Sequence, residues 1–499
     1  MAMAVDLTMP YYLRCVTFVA LSGFLFGSDT GSIGPVTQMP FFKTYFGALS
    51  PTITGLLVSS ILITASCASL ISGHVTDQIS RIRAIGLGAA IFAVGTALEG
   101  ASQNLAMFFI GRALAGVGEG FFLNAAMVYA VEVAPRAKRG MASCTVQLLI
   151  TIGIATGYFV CYGAVHLNST WSWRLPYMVQ TGIAVILASG SQFLPFSPRW
   201  LFHVGRDEEG TRNLEKLDPE GAALEKAEIQ AAKARLEAFV PEIVPDTSLA
   251  IIESQSEAHA FDIRALFEKS VRKRTILGIY MSASQMMSGI DGVLYYAPLL
   301  FAQAGLSSTQ ASFFASGITG LVNVACTVLA QWKLDAWGRR PTYLVGGTSI
   351  ATTMLLMGIL YASGASNTAA GKWVIIVLIY IFVVSFALSW AVVTKLYSTE
   401  IQPTRTRSAA SSLAQSANWV VNWLVAFTTP LFLARVTWGP YILWGAFSAT
   451  SVFVAGCMMP ETKGRGLEEI DQAFDRAEGT WEAKVLQLWN RVRKREQVS

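Results

Sequence analysis

Tyr129-Ala130-Val131-Glu132-Val133-Ala134-Pro135-Arg136-Ala137-Lys138-Arg139 and Tyr397-Ser398-Thr399-Glu400-Ile401-Gln402-Pro403-Thr404-Arg405-Thr406-Arg407 are one pattern written twice. Each closes a long apolar run, and Tyr, Glu, Pro and Arg keep the same spacing in both. A second pair agrees: Asp77-x-x-x-Arg81 in the first half matches Asp335-x-x-x-Arg339 in the second. Such repeats predict two same-sense copies of one membrane bundle, with a ligand site near the midplane.

Working outward, the chain is 53% hydrophobic and 14% charged, with a mean hydropathy of +0.47. That balance excludes an ordinary soluble domain and predicts an all-α, polytopic membrane protein. Apolar windows long enough to cross ~30 Å of hydrocarbon fall near 12–34, 52–73, 84–101, 106–131, 143–165, 175–195, 275–301, 310–331, 342–363, 373–396, 408–433 and 439–459. The expected organisation is a six-helix bundle over 1–196, a cytoplasmic helical linker over 197–274, a second six-helix bundle over 275–460, and a cytoplasmic tail over 461–499. The linker is rich in Glu, Lys, Ala and Arg, as surface helices are.

Basic residues set the orientation. Arg81 and Arg83, then Arg136, Lys138 and Arg139, then Lys333, Arg339 and Arg340, then Arg405 and Arg407 fill alternate loops, while the intervening loops hold little beyond Lys43, Lys372 and Arg435. By the positive-inside rule both termini are cytoplasmic. These loops account for the net charge of +5, so no nucleic-acid partner is inferred. Asn168-Ser169-Thr170 is a glycosylation acceptor pattern in a loop placed outside. The six cysteines lack metal or disulfide spacing, and His74, His166, His203 and His259 are isolated. No nucleophile–base pair, metal site or phosphate loop stands out, so neither a catalytic residue nor a cofactor is expected.

One carboxylate breaks the first apolar run: Phe26-Gly27-Ser28-Asp29-Thr30-Gly31. An ionised group in hydrocarbon must be paired or face water, and Arg112 in a later span is the expected partner. A buried acid beside a fixed cation can hold or release a proton as its surroundings change. Glu119, seven residues after Arg112 and nearly on the same helix face, is a second acceptor or a competitor for Arg112.

These features resemble the sugar porter branch of the major facilitator superfamily, from Gly27 to about Ile470. The resemblance is carried by Gly73-x-x-x-Asp77, Arg112 with Gly116 and Gly118, Glu132-Val133-Ala134-Pro135, Ser197-Pro198-Arg199-Trp200-Leu201, Gln285-x-x-x-Gly289, Tyr295-Tyr296-Ala297-Pro298, Asp335-x-x-Gly338-Arg339-Arg340 and Pro460-Glu461-Thr462-Lys463-Gly464-Arg465. The long central loop and the tail look most like fungal members.

The resemblance implies three sets of roles. Asp77, Arg81, Glu132, Arg139, Arg199, Asp335, Arg339, Glu400 and Arg407 would form cytoplasmic ion-pair latches that open and close with the transport cycle. Asp29 would be the titrating group of a proton symporter and Arg112 its counter-ion. Gln147, Gln285, Asn323, Asn418 and Asn422 would hydrogen-bond sugar hydroxyls, with Trp419 available to stack on a ring; neutral amides suit polyols because they offer both donors and acceptors. The same amides can also serve as glue between helices.

Departures from the pattern are equally informative. Phe196 stands where the family has Glu before Ser-Pro-Arg, and Gln78 and Ser80 replace Arg and Gly, which makes the N-terminal latch the weaker one. Asp291 replaces an Asn, and Trp390-Ala391-Val392-Val393-Thr394-Lys395 loses a Gly-Pro and puts Lys395 in place of a Trp. Lys395 either pairs with an acidic ligand, snorkels to water, or pairs with Asp291.

The expected function is proton-coupled import of a sugar or polyhydroxylated relative, neutral or acidic, across the plasma membrane by a monomer. Its partners are then a small-molecule substrate, protons and the lipid bilayer. An exporter of a small polar metabolite, a facilitative carrier and a nutrient sensor are the alternatives.

Overall fold

A computed structural model describes residues 9–219, 221–238, 266–268, 271–306, 308–403 and 407–463. Among the described residues every regular element is a helix. The first half runs α1 Tyr11–Gln38, α2 Pro51–Ile79, α3 Arg81–Ala101, α4 Leu105–Val133, α5 Arg139–Ala164 and α6 Trp171–Gly190. Among the described residues of the linker three helices follow, Pro198–His203, Asp207–Leu217 and Ala222–Ala238. The second half runs α7, in three pieces (Arg272–Met287, Ile290–Tyr295, Ala297–Gln303), α8 Thr309–Trp337, α9 Arg339–Ala362, α10 Ala369–Glu400, α11 Arg407–Arg435 and α12 Gly439–Met458. Most of the linker beyond Ala238, Arg405 and the tail past Lys463 lie outside the described residues, and Asp335 and Arg407 are described by backbone alone.

Ten of these helices are long and apolar enough to cross a membrane. The other two have visible reasons for falling short. α6 opens on the amphipathic Trp171-Ser172-Trp173-Arg174, and α7 is interrupted at Gly289, where φ is +84°. Helix starts follow side-chain chemistry: Ser50 Oγ accepts from Ile53 N at 3.3 Å ahead of Pro51, and Asn104 Oδ1 accepts from Met107 N at 2.9 Å. At 29 residues, α2 and α4 span about 44 Å at 1.5 Å per residue. That exceeds the hydrocarbon thickness, so their ends project the duplicated charges into the interface.

The helices form two compact units. One gathers α1–α6 and the described linker helices with Asp291–Val324 and Asn422–Ala434. The other contains α7 up to Ile290, Ala325–Val421 and α12. In the first unit α1 lies directly on α5. A Cβ on Gly27 would stand 1.9 Å from Ile150 O, and one on Gly31 would stand 2.3 Å from Ile154 O. With no hydrophobic drive between helices in lipid, such close backbone approach supplies the packing energy. It also fixes the rotation of α1: Gly27 and Gly31 face α5, so Asp29, about 200° around the helix from Gly27, faces away from it.

Candidate functional site: a buried charge cluster and two amide sets

Asp29 and Arg112 are both withdrawn from solvent, at 3% and 0% exposure. Arg112 Nη1 donates to Asp29 Oδ1 at 2.6 Å, and Nη2 donates to the Val58 carbonyl of α2 at 3.0 Å. Charge-assisted bonds of this length are the strong class. Arg112 Nε has no partner among the described residues. Glu119 is 1% exposed, neither of its oxygens is hydrogen-bonded, and it lies within electrostatic reach of Asp29 and Arg112.

In the same unit, Asn323 on α8 and Asn422 on α11 are buried, and Gln147 on α5 is half-buried. Asn422 Oδ1 has no partner among the described residues. The last pieces of α7 are pinned by two hydroxyls. Tyr158 of α5 donates to Leu294 O, and Tyr296 donates to Ala426 O of α11 at 2.9 Å. Asp291, half-buried, lies within electrostatic reach of Tyr158 and Tyr295.

The second unit holds the other amides. Gln285 Nε2 donates to Trp390 O at 2.9 Å. Asn418 Nδ2 donates to Gln285 Oε1 at 3.2 Å and to Ser282 O at 2.9 Å. The structure thus joins Gln285, Trp390 and Asn418 into one network. Trp390 is fully buried, stacked on Tyr343 at 4.7 Å, and its indole N–H donates to Tyr343 O at 3.0 Å. Trp419 is buried and Lys395 half-buried.

The duplicated sequence is also duplicated in its contacts. Arg81 meets Glu132 at 3.1 Å, and Arg339 meets Glu400 at 3.1 Å. Tyr129 donates to Pro195 O at 2.8 Å, and Tyr397 donates to Pro460 O at 3.2 Å. Arg81 adds Asp77 at 2.8 Å. Arg139 instead meets Glu225 of the linker, which also takes Arg199 at 3.3 Å.

The copies differ at the positions the sequence marked. In the second, the Glu461 carboxylate accepts main-chain N–H groups from Arg339, Arg340, Thr462 and Lys463 at 2.9–3.1 Å, capping the start of α9. Burial raises the proton affinity of this carboxyl, but those four donors outweigh it and hold its pKa below the ordinary range. In the first copy Phe196 takes the corresponding place, with the guanidinium carbons of Arg83 and Arg206 5.3 and 5.5 Å from its ring centroid.

Comparison with known proteins places this arrangement. A family model described as "Sugar (and other) transporter" matches residues 15–474. The chain belongs to this sugar transporter family of the major facilitator superfamily. It is 30% identical to a high-affinity glucose transporter of Kluyveromyces lactis over 484 residues, covering 93% of this chain and 85% of that protein. It is 31% identical to the high glucose sensor RGT2 of Saccharomyces cerevisiae, of which it covers 62%. The solved proton:xylose symporter XylE bound to 6-bromo-6-deoxy-D-glucose superposes with a TM-score of 0.74 at 26% identity, covering 93% of this chain and 99% of that one. The protein is therefore a multi-pass membrane member of a transporter family, not an enzyme.

Within this sugar transporter the sequence reading missed one member of the charge cluster. Glu99 of α3 is fully buried, and its Oε2 stands 3.8 Å from Arg112 Nη1. The signal was present, since Glu99 ends Gly95-Thr96-Ala97-Leu98-Glu99 inside an apolar run. It stands near the end of the 84–101 window, where an interfacial carboxylate is ordinary. Gln180 of α6 was missed too; its Nε2 donates to Ser32 Oγ at 3.2 Å, and its Oε1 has no partner among the described residues.

Proposed function

We propose that this protein imports a sugar or sugar-like polyol by proton symport through alternating access. The observation that carries the reading is the 2.6 Å Arg112–Asp29 bond in a site closed to solvent. A carboxylate kept there at high desolvation cost has a use when its protonation changes the partner of a buried guanidinium. The likeness to XylE, a proton:xylose symporter, supports the same assignment.

In this reading the two six-helix halves, 1–196 and 275–460, rock so that the substrate is exposed first to one side of the membrane and then to the other. Gln147, Gln285, Asn323, Asn418 and Asn422 supply donors and acceptors to sugar hydroxyls, with Trp390 and Trp419 shaping the apolar side. Asp291 and Lys395 set the preference between neutral and acidic ligands, and Glu119 tunes the proton site. The cytoplasmic pairs of Asp77, Arg81, Glu132, Arg139, Arg199, Asp335, Arg339, Glu400 and Arg407 are latches. The protein lies in the plasma membrane as a monomer with both termini in the cytoplasm, and Asn168 carries a glycan outside.

The test is uptake by purified protein in liposomes with an imposed pH gradient, using neutral hexoses, pentoses and sugar acids side by side. Asp29→Asn is expected to abolish uphill accumulation while substrate exchange at equal pH persists. Accumulation that survives the substitution overturns the coupling assignment. Lys395→Trp is expected to shift preference from acidic toward neutral ligands if Lys395 faces the ligand; an unchanged ratio removes Lys395 from the site.

A further inference from the structure

Glu99 and Asp29 approach one nitrogen of one guanidinium. Arg112 Nη1 lies 2.6 Å from Asp29 Oδ1 and 3.8 Å from Glu99 Oε2. The first distance is a hydrogen bond; the second is an ion-pair distance without one. Both Glu99 oxygens are buried and unbonded among the described residues. A helix face makes the room: a Cβ on Gly111, the residue before Arg112, would stand 2.8 Å from Glu99 Cγ. A small movement of the Arg112 head therefore exchanges one carboxylate for the other.

We propose that Glu99 is the second counter-ion of Arg112, receiving the guanidinium when Asp29 takes up a proton. The proposal rests on the reading of Asp29 as the proton carrier. Protonating Asp29 in a simple two-member pair would strand Arg112, and a buried charge left without its partner is strongly destabilising. With Glu99 ionised beside it, the guanidinium keeps an anion throughout.

The charge count closes. Before uptake, Asp29, Glu99 and Arg112 sum to one negative charge. One proton from water on the loading side binds an Asp29 oxygen and brings the sum to zero. The same proton leaves to water on the other side, and Arg112 returns to Asp29. One proton moves per cycle, and Glu99 stays ionised.

The side chains facing Glu99 are one cation, two carboxylates and a hydroxyl. α4 presents Arg112 and Glu119, and α1 presents Asp29. α6 presents the Tyr177 hydroxyl, which is buried without a partner among the described residues. Arg174 of α6 is already committed to Gly100 O at 2.7 Å and Ser102 O at 2.9 Å. α2 contributes the Val58 carbonyl already bonded to Arg112.

The test is the pH dependence of uphill sugar uptake in liposomes, normalised to protein inserted. Glu99→Gln keeps the shape and removes the charge, so half-maximal uptake is expected to move about one pH unit or more toward acid, a tenfold rise in the proton concentration required. Glu99→Asp, one methylene short, is expected to move it less in the same direction. A merely structural Glu99 would lower the amount of inserted protein without moving the midpoint. An unmoved midpoint in Glu99→Gln overturns the proposal. So does failure of both variants to insert while Asp29→Asn inserts. Asp29→Asn separates the two claims. If it retains uphill uptake, the coupling reading itself fails; if it loses it while Glu99→Gln leaves the midpoint in place, only the role of Glu99 falls.

Discussion

Ser80 and Gly338 hold the same backbone conformation at equivalent turns, with φ +91° and ψ 153° at Ser80 and φ +83° and ψ 158° at Gly338. This region of dihedral space is open to glycine and strained by about 1–3 kcal/mol for other residues. Each residue caps a helix that begins at the next position with an arginine of the latch, Arg81 or Arg339. Ser80 recovers part of the strain, because its Oγ accepts from Arg83 N at 3.3 Å. Exchanging a serine cap for glycine costs only a few tenths of a kcal/mol. Ser80→Gly is therefore expected to stabilise the protein by about 1 kcal/mol, read as a raised midpoint of thermal unfolding in detergent. Gly338→Ala should lower the midpoint, since its Cβ would also stand 2.9 Å from Glu461 Oε2.

Glu461 gives the pH dependence a sign. Its folded pKa lies below the ordinary value because main-chain donors at Arg339, Arg340, Thr462 and Lys463 outweigh the upward effect of burial. The stability it contributes is therefore complete above the unfolded value of about 4.3 and is lost as pH falls through the lower folded value. Glu461→Gln should lower stability at neutral pH and flatten the loss of stability below about pH 4.3. Thermal midpoints of the two proteins measured across that range check it. Curves that stay parallel would contradict the capping role.

Much of this architecture was legible because membrane physics writes it in composition and repeats. Apolar windows found the helices within a few residues, and each Asp-x-x-x-Arg run supplies an arginine that meets the glutamate of a Tyr-x-x-Glu run, as Arg81–Glu132 and Arg339–Glu400. The Phe196 departure falls where the two copies differ in their contacts, whereas Ser80 keeps the backbone conformation of Gly338. Side-chain partnership across helices was less legible. Nothing in a one-dimensional pattern says that Gln285 and Asn418 bond each other, or that Trp390 stacks on Tyr343. Glu99 was hidden for a related reason: a carboxylate near the end of an apolar run reads as interfacial until the neighbouring helices are seen to cover it. Arg139 turned to Glu225 of the linker, a pairing that helix-end spacing alone does not contain.

Arg112 is the hub of the buried cluster, so its loss should be severe. Arg112→Leu leaves Asp29, Glu99 and Glu119 without their cation, and breaking a buried pair from one side costs about 3–5 kcal/mol. The expected result is a large fall in the thermal midpoint and in the amount of inserted protein. Asp29→Asn together with Arg112→Leu removes opposite charges and should recover part of the loss. A double variant no better than Arg112→Leu would mean that the pair contributes little to folding.

Gly27 tests how tightly the helix carrying Asp29 must pack. An added methyl at Gly27 would meet Ile150 O at 1.9 Å and Ile154 N at 2.9 Å, all backbone of α5. Backbone cannot rotate away as a side chain can, so the two helices must part or α1 must turn. Overpacking of this kind costs about 1–3 kcal/mol, occasionally more, and turning α1 would also draw Asp29 from Arg112. Gly27→Ala should thus lower both the thermal midpoint and pH-driven uptake. Gly182→Ala is the matched control: it lies within α6, its Cβ meets nothing within 4 Å, and it removes a helix-interior glycine. It should be neutral or stabilising by up to about 1 kcal/mol. If Gly27→Ala behaves like Gly182→Ala, the close approach of α1 to α5 does not hold Asp29 in place.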